Sequence, residues 1–137
     1  MTALSADRNT PRRERTTRHV PVAGGVKLYA GAMGAINTAT GYLVPVTQSA
    51  TLKGAARIAK LVDNTNGAAG AVMAEQELGT FRWENSAAAD LITRADIGSD
   101  AYGVDDQTVA KTNGGNTRSV VGRIADVDDQ GVWITHT

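Results

Sequence analysis

The chain contains no cysteine, two histidines, three prolines and only 4% aromatic residues in 137, and each scarcity removes a class of chemistry. Without cysteine there is no disulfide, no thiolate metal site and no cysteine nucleophile, so folding is expected to be indifferent to redox compartment. His19 and His136 lie near opposite ends of the sequence. Two histidines with no carboxylates at ligand spacing do not define a metal site, and both are expected at the surface. No apolar run approaches the roughly 18 residues that a membrane-spanning helix needs. The N-terminal stretch has no apolar core of a secretion signal, and its Asp7 and Glu14 do not suit a transit peptide. A soluble protein is expected.

Catalytic signatures are equally scarce. No serine sits in a G-x-S-x-G elbow and no lysine follows a G-x-x-x-x-G phosphate loop. Gly31-Ala32-Met33-Gly34 and Gly67-Ala68-Ala69-Gly70 do not complete a dinucleotide fingerprint and read as turns or close backbone contacts. Asp126 to Gly131 opens like a calcium loop, with Asp126, Asp128 and Gly131 at the first, third and sixth positions. Gln130 stands at the fifth and Thr137 where a bidentate glutamate belongs, so a hairpin turn is favoured. Asp105-Asp106 reads as an acidic turn. The expectation is a non-enzymatic protein with no catalytic residue, cofactor, metal or small-molecule substrate.

What the chain does have is an uneven distribution of charge. Residues 1–19 hold five of its ten arginines, Arg8, Arg12, Arg13, Arg15 and Arg18, against Asp7 and Glu14, for a net +3; residues 20–137 balance this at −3. Leu4 is the one large aliphatic side chain in residues 2–19. Such a segment buries too little apolar surface to offset the entropy of ordering and should be disordered alone. Extended at ~3.3 Å per residue it reaches roughly 60 Å, enough to cross a neighbouring subunit. Clustered arginines suit either phosphates, with steep salt dependence, or the carboxylates of a protein neighbour. The acidic remainder, whose rings lie in a basic context only around Arg82, offers no stacking platform for nucleic acid.

Residues 20–137 read as one β-rich domain. Short runs alternate with turn clusters at the spacing of a sandwich or barrel: Val20–Val22, Val26–Ala30, Met33–Asn37, Tyr42–Pro45, Ala55–Val62, Ala71–Glu75, Gly79–Trp83, Ala101–Val104, Thr108–Lys111, Ser119–Val127 and Gly131–Thr135; in Ala55–Val62 the residues Ala56, Ala59 and Leu61 would also share a helix face, but Ile58, Val62 and the flanking glycine favour strand. Asp63 to Gly67 and Asn113 to Asn116 supply turn chemistry. Asn85 to Ile92, with Ser86 as N-cap before three alanines, predicts one short helix or helical turn. Phe81 and Trp83 are expected in the core, with a subunit contact as the other reading. The core is thin, and burial between subunits would strengthen it.

Several blocks together resemble a known family. They are Leu4 to Arg13, Val20-Pro21-Val22-Ala23-Gly24-Gly25-Val26-Lys27-Leu28-Tyr29-Ala30-Gly31, Leu61-Val62-Asp63-Asn64, Gly79-Thr80-Phe81-Arg82-Trp83, and above all Thr93 to Lys111 leading into Val121-Gly122-Arg123-Ile124 and Gly131-Val132-Trp133-Ile134. Across nearly the whole chain they are similar to the small head proteins encoded beside the major capsid protein in Mu-like and related tailed bacteriophages. The resemblance implies a capsid cement or decoration protein on the outer surface of the virion. It implies a β-rich body and an extended N-terminal arm that grip the major capsid protein, and a homo-oligomer, with a trimer the first expectation. Leu4 would act as an apolar plug and Arg8, Arg12, Arg13, Arg15 and Arg18 as clamps. The competing expectations are a nucleic-acid-binding head protein with an inward-facing arm, and a tail or spike component.

Overall fold

A computed structural model describes residues 2–137. In chain order its strands are β1 (Thr17–Pro21), β2 (Lys27–Leu28), β3 (Met33–Asn37), β4 (Leu43–Pro45), β5 (Leu52–Ile58), β6 (Val62–Asp63), β7 (Met73–Glu77), β8 (Gly79–Trp83), β9 (Asp100–Gly103), β10 (Val109–Ala110), β11 (Val120–Asp128) and β12 (Gly131–His136). One five-stranded sheet is ordered β1-β7-β5-β3-β4, a second β10-β9-β11-β12-β8, and β2 pairs with β6 in a small ribbon. All the pairings are antiparallel, so each strand can present alternate residues inward.

The main core lies between the two large sheets. Met33, Ala35, Leu52 and Ala55 from the first meet Trp83, Ala101, Val109, Val121, Ile124, Val132 and Ile134 from the second. A smaller cluster of Val20, Val22, Leu28, Leu43, Ile58 and Ala74 seals the first sheet against the ribbon. Ser119 ties the layers, its hydroxyl accepting from Leu52 N and donating to Ser49 O. This is the sandwich of the two architectures expected. Single-residue bridges, Val22 with Leu43 and Glu84 with Thr108, link the edges of each sheet, and no ladder closes a barrel.

Alternation explains β8. Trp83 is buried and Phe81 packs against the core, while Thr80 and Arg82 face out; the core reading of both rings holds. The expected run Ala55–Val62 divides at a bend into β5 and β6, and β5 begins earlier, at Leu52. The Asp126 to Gly131 segment is a hairpin turn, as expected. Asp128 accepts from Gln130 N and from Trp133 Nε1, and those bonds, the Trp133 one first, hold its carboxyl below the usual carboxylate range.

The alanine segment takes the shorter of the two forms expected, a 3-10 turn at Ala88–Asp90, and a second such turn follows it at Arg94–Asp96. Three alanines cannot carry the cost of helix nucleation, and Asn85 closes the loop instead, donating to Ile92 O and accepting from Ile92 N. Ile92 is thereby placed in the main core. Ser86, expected as the N-cap, donates to Val109 O, and Ala87 occupies the cap position. A larger correction is His136, which is not at the surface but 2% exposed. It ends β12 on the strand's inward face, so period-two alternation with Ile134 places it inside. His19 is exposed.

Candidate partner-binding site: the arm and its root

Residues 2–16 are exposed and form no strand or helix. Leu4 is 72% exposed, the most exposed large hydrophobic side chain among the described residues. Arg8 donates to the Thr10 hydroxyl, and Arg12 approaches Glu14 at 3.6 Å with both groups in solvent. An ion pair of that kind contributes little. Arg13 and Arg15 make no side-chain hydrogen bond or ion pair among the described residues. Four arginines and an apolar side chain are thus carried free of the body.

The structure starts where the arm meets β7. Leu78 N donates to Thr16 O, and β1 then runs antiparallel to β7, with Arg18 opposite Gln76 and Val20 opposite Ala74. The first strand therefore begins at Thr17, three residues before the boundary at Val20 that composition sets. Alternation turns Val20 into the smaller core and puts Arg18 on the same side, where its guanidinium is partly buried. Arg18 Nε donates to Gln76 Oε1 at 2.7 Å, and Nη2 donates to the carbonyl of Gly54. Gln76, fully buried, sends its amide nitrogen to Gly34 O at 2.8 Å and Gly54 O at 2.9 Å. Both ends of this amide are satisfied, which is what a buried polar side chain requires. Burial lowers the pKa of Arg18, yet a guanidinium stays charged at any working pH.

Gly54 makes this knot possible. It lies in β5 where the register with β3 slips, and its φ is +63°. A glycine at such a bulge adopts the left-handed conformation without a Cβ penalty. A Cβ there would stand 2.9 Å from Arg18 Nη2. The bulge aims a carbonyl at both Arg18 and Gln76, so β1, β3, β5 and β7 meet around one polar cluster. The sequence places Arg18 with the other arm arginines, but the structure separates it: its guanidinium is occupied within the body and anchors the arm. Gln76 and Gly54 were not singled out by sequence. The signals were a glutamine sharing a strand face with Ala74, and a glycine inside a strand pattern.

Among the described residues, no group of three histidines, aspartates or glutamates could hold a metal ion. The Asp105 turn is built as expected, its carboxylate accepting from Gln107 N. The molecule is therefore a two-sheet β body bearing a basic arm rooted by a partly buried arginine. Comparisons with protein families, curated proteins and solved structures find no match to this chain.

Proposed function

We propose that the protein is a structural, non-enzymatic component of a phage head that binds the outer capsid surface and cements neighbouring major capsid subunits. The observation that carries this reading is the contrast at Thr16. On one side, an exposed segment offers Leu4, Arg8, Arg12, Arg13 and Arg15; on the other, β1 is fixed by Arg18, Gln76 and Gly54. A firmly rooted strand followed by a long free arm transmits load from a neighbour into the sheet. A frayed terminus needs no such anchor. The resemblance in the Thr93 to Lys111 block and in the Val20 to Gly31 block supports the same assignment, as does the −3 charge of residues 20–137, which disfavours close approach to DNA. A homo-oligomer, first of all a trimer, would set several arms around one junction.

Salt dependence separates this reading from the nucleic-acid alternative. Neutralising phosphates releases counterions with a slope near −0.9 per phosphate, so contacts from the four free arginines, Arg8, Arg12, Arg13 and Arg15, would lose roughly two decades of affinity between 50 and 200 mM salt. Desolvated pairs at a protein interface are screened far less. The expected result is negligible binding of the isolated protein to duplex DNA at physiological salt, with retained binding to head shells in the same buffer. Tight DNA binding with that slope, abolished by replacing Arg12, Arg13 and Arg15 with alanine, would overturn the proposal.

A further inference from the structure

His136 is held by two partners that each have one hydrogen-bonding role. Trp83 Nε1 can only donate, and it lies 2.9 Å from His136 Nε2; the Val121 carbonyl can only accept, and it lies 2.8 Å from Nδ1. The ring must therefore be neutral, with its proton on Nδ1 and Nε2 bare. Trp83 meets it edge-on with centroids 5.7 Å apart, and Phe81 stacks at 6.3 Å. The ring sits at the seam of the sandwich, since Val121 belongs to its own sheet and Ala55, whose backbone carbonyl also favours the ring, to the other.

We propose that His136 is an acid-sensitive latch coupling the seam between the sheets to the root of the arm. A proton added at Nε2 faces the indole N–H of Trp83, so that hydrogen bond must break. The resulting imidazolium also meets the field of a second cation, Arg18, which lines one surface cavity with Thr137, the residue next to His136, and whose guanidinium holds β1 to Gln76 and Gly54.

Beyond the Val121 and Ala55 carbonyls, no charged group among the described residues compensates the new charge. β8 presents Phe81 and Trp83, β11 presents Val121 and β5 presents Ala55. β1 supplies Arg18, the charge that acts on the ring. Arg57 of β5 lies beyond Phe81, 5.5 Å from that ring's centroid, and is engaged by Glu77 of β7. Burial, the largest influence, depresses the His136 pKa, with Arg18 adding to it against the Val121 and Ala55 carbonyls. A depressed histidine leaves stability unaffected above its unfolded value near 6.5. Below that value the unfolded chain takes up a proton that the folded chain refuses, so stability falls with pH. The carboxylates held low, Asp63, Asp90, Asp96 and Asp128, lose their contribution only in more acidic solution, below about pH 5.

The test is urea unfolding of the full chain, followed by tryptophan fluorescence, between pH 7.5 and 5. For the wild type the unfolding equilibrium constant should rise up to tenfold per pH unit below about 6.5. In His136→Gln, whose amide oxygen can still accept from Trp83, that rise should disappear, while His19→Gln should retain it. In the wild type, amide protection factors at Arg18 and Val20 should fall over the same interval. Imidazole NMR of the wild type, which needs no variant, should show His136 as the Nδ1–H tautomer at pH 6. Flat stability down to pH 5, a slope that survives in His136→Gln, an ordinary titration of His136, or β1 protection that ignores pH would each overturn the latch.

Discussion

Gly131→Ala is expected to destabilise the protein by about 3 kcal/mol and to lower its melting temperature by about 10 °C. Gly131 opens β12 with φ +152°, and an added Cβ would lie 2.3 Å from the carbonyl oxygen of Trp83. That atom is backbone, so no side-chain rotation relieves the clash. Either the β11–β12 hairpin lifts off or β8 moves, and β8 is the outer strand paired to β12 from Gly79 to Trp83. Strained backbone contributes on the order of 1–3 kcal/mol and overpacking a similar amount, against a total stability of about 5–15 kcal/mol. Gly25→Ala provides the comparison. It also has positive φ, +76°, but nothing lies within 4 Å of the added atom, so only the smaller conformational penalty should appear. Thermal unfolding by circular dichroism measures both; equal losses would mean that the contact with Trp83 does not matter.

Deleting residues 2–16 should leave the melting temperature of the body unchanged within ~2 °C, while weakening attachment to head shells at least tenfold. The first half follows from exposure: the segment contributes no buried side chain, and both β1 and the Arg18 anchor remain. The second half follows from what is lost. Leu4 can provide roughly 1.5–3 kcal/mol when fully buried, and arginine forks on carboxylates are among the stronger charged hydrogen bonds. Ordering the arm takes back a large share of this, but a tenfold loss is only 1.4 kcal/mol. Co-sedimentation with shells reads the outcome. A truncated protein that loads at the wild-type level and protects particles equally against heat would make the arm a passive tail.

Much of the fold was legible because it rests on local rules. Met33–Asn37 and Gly79–Trp83 match the structure residue for residue, since each is a short alternating run bounded by turn chemistry. The misreadings arose where a distant partner decides. Ser86 bonds the Val109 carbonyl, 23 residues away, and leaves the cap of the turn at Ala88–Asp90 to Ala87. His136 looks like a polar residue at the end of a chain until β12 takes its place beside β8 and β11. Arg18 is indistinguishable in sequence from Arg15, and only the Gly54 bulge, 36 residues away, decides that it turns inward. The arm itself was legible from composition, because a stretch with one large aliphatic side chain and five arginines cannot build a core. Its boundary was not, because β1 recruits residues by pairing with β7 and not by hydrophobicity.

The central claim is that this protein sits on the outside of a phage head, where capsid subunits meet. Imaging of virions with and without the protein tests it most directly. The account predicts density for the β body protruding at three-fold or quasi-three-fold positions of the shell, with a thin extension from each body reaching across the adjacent major capsid subunit, and loss of both when the protein is absent. Density confined to the tail, density on the inner face against packaged DNA, or a head surface identical in the two particles would contradict it.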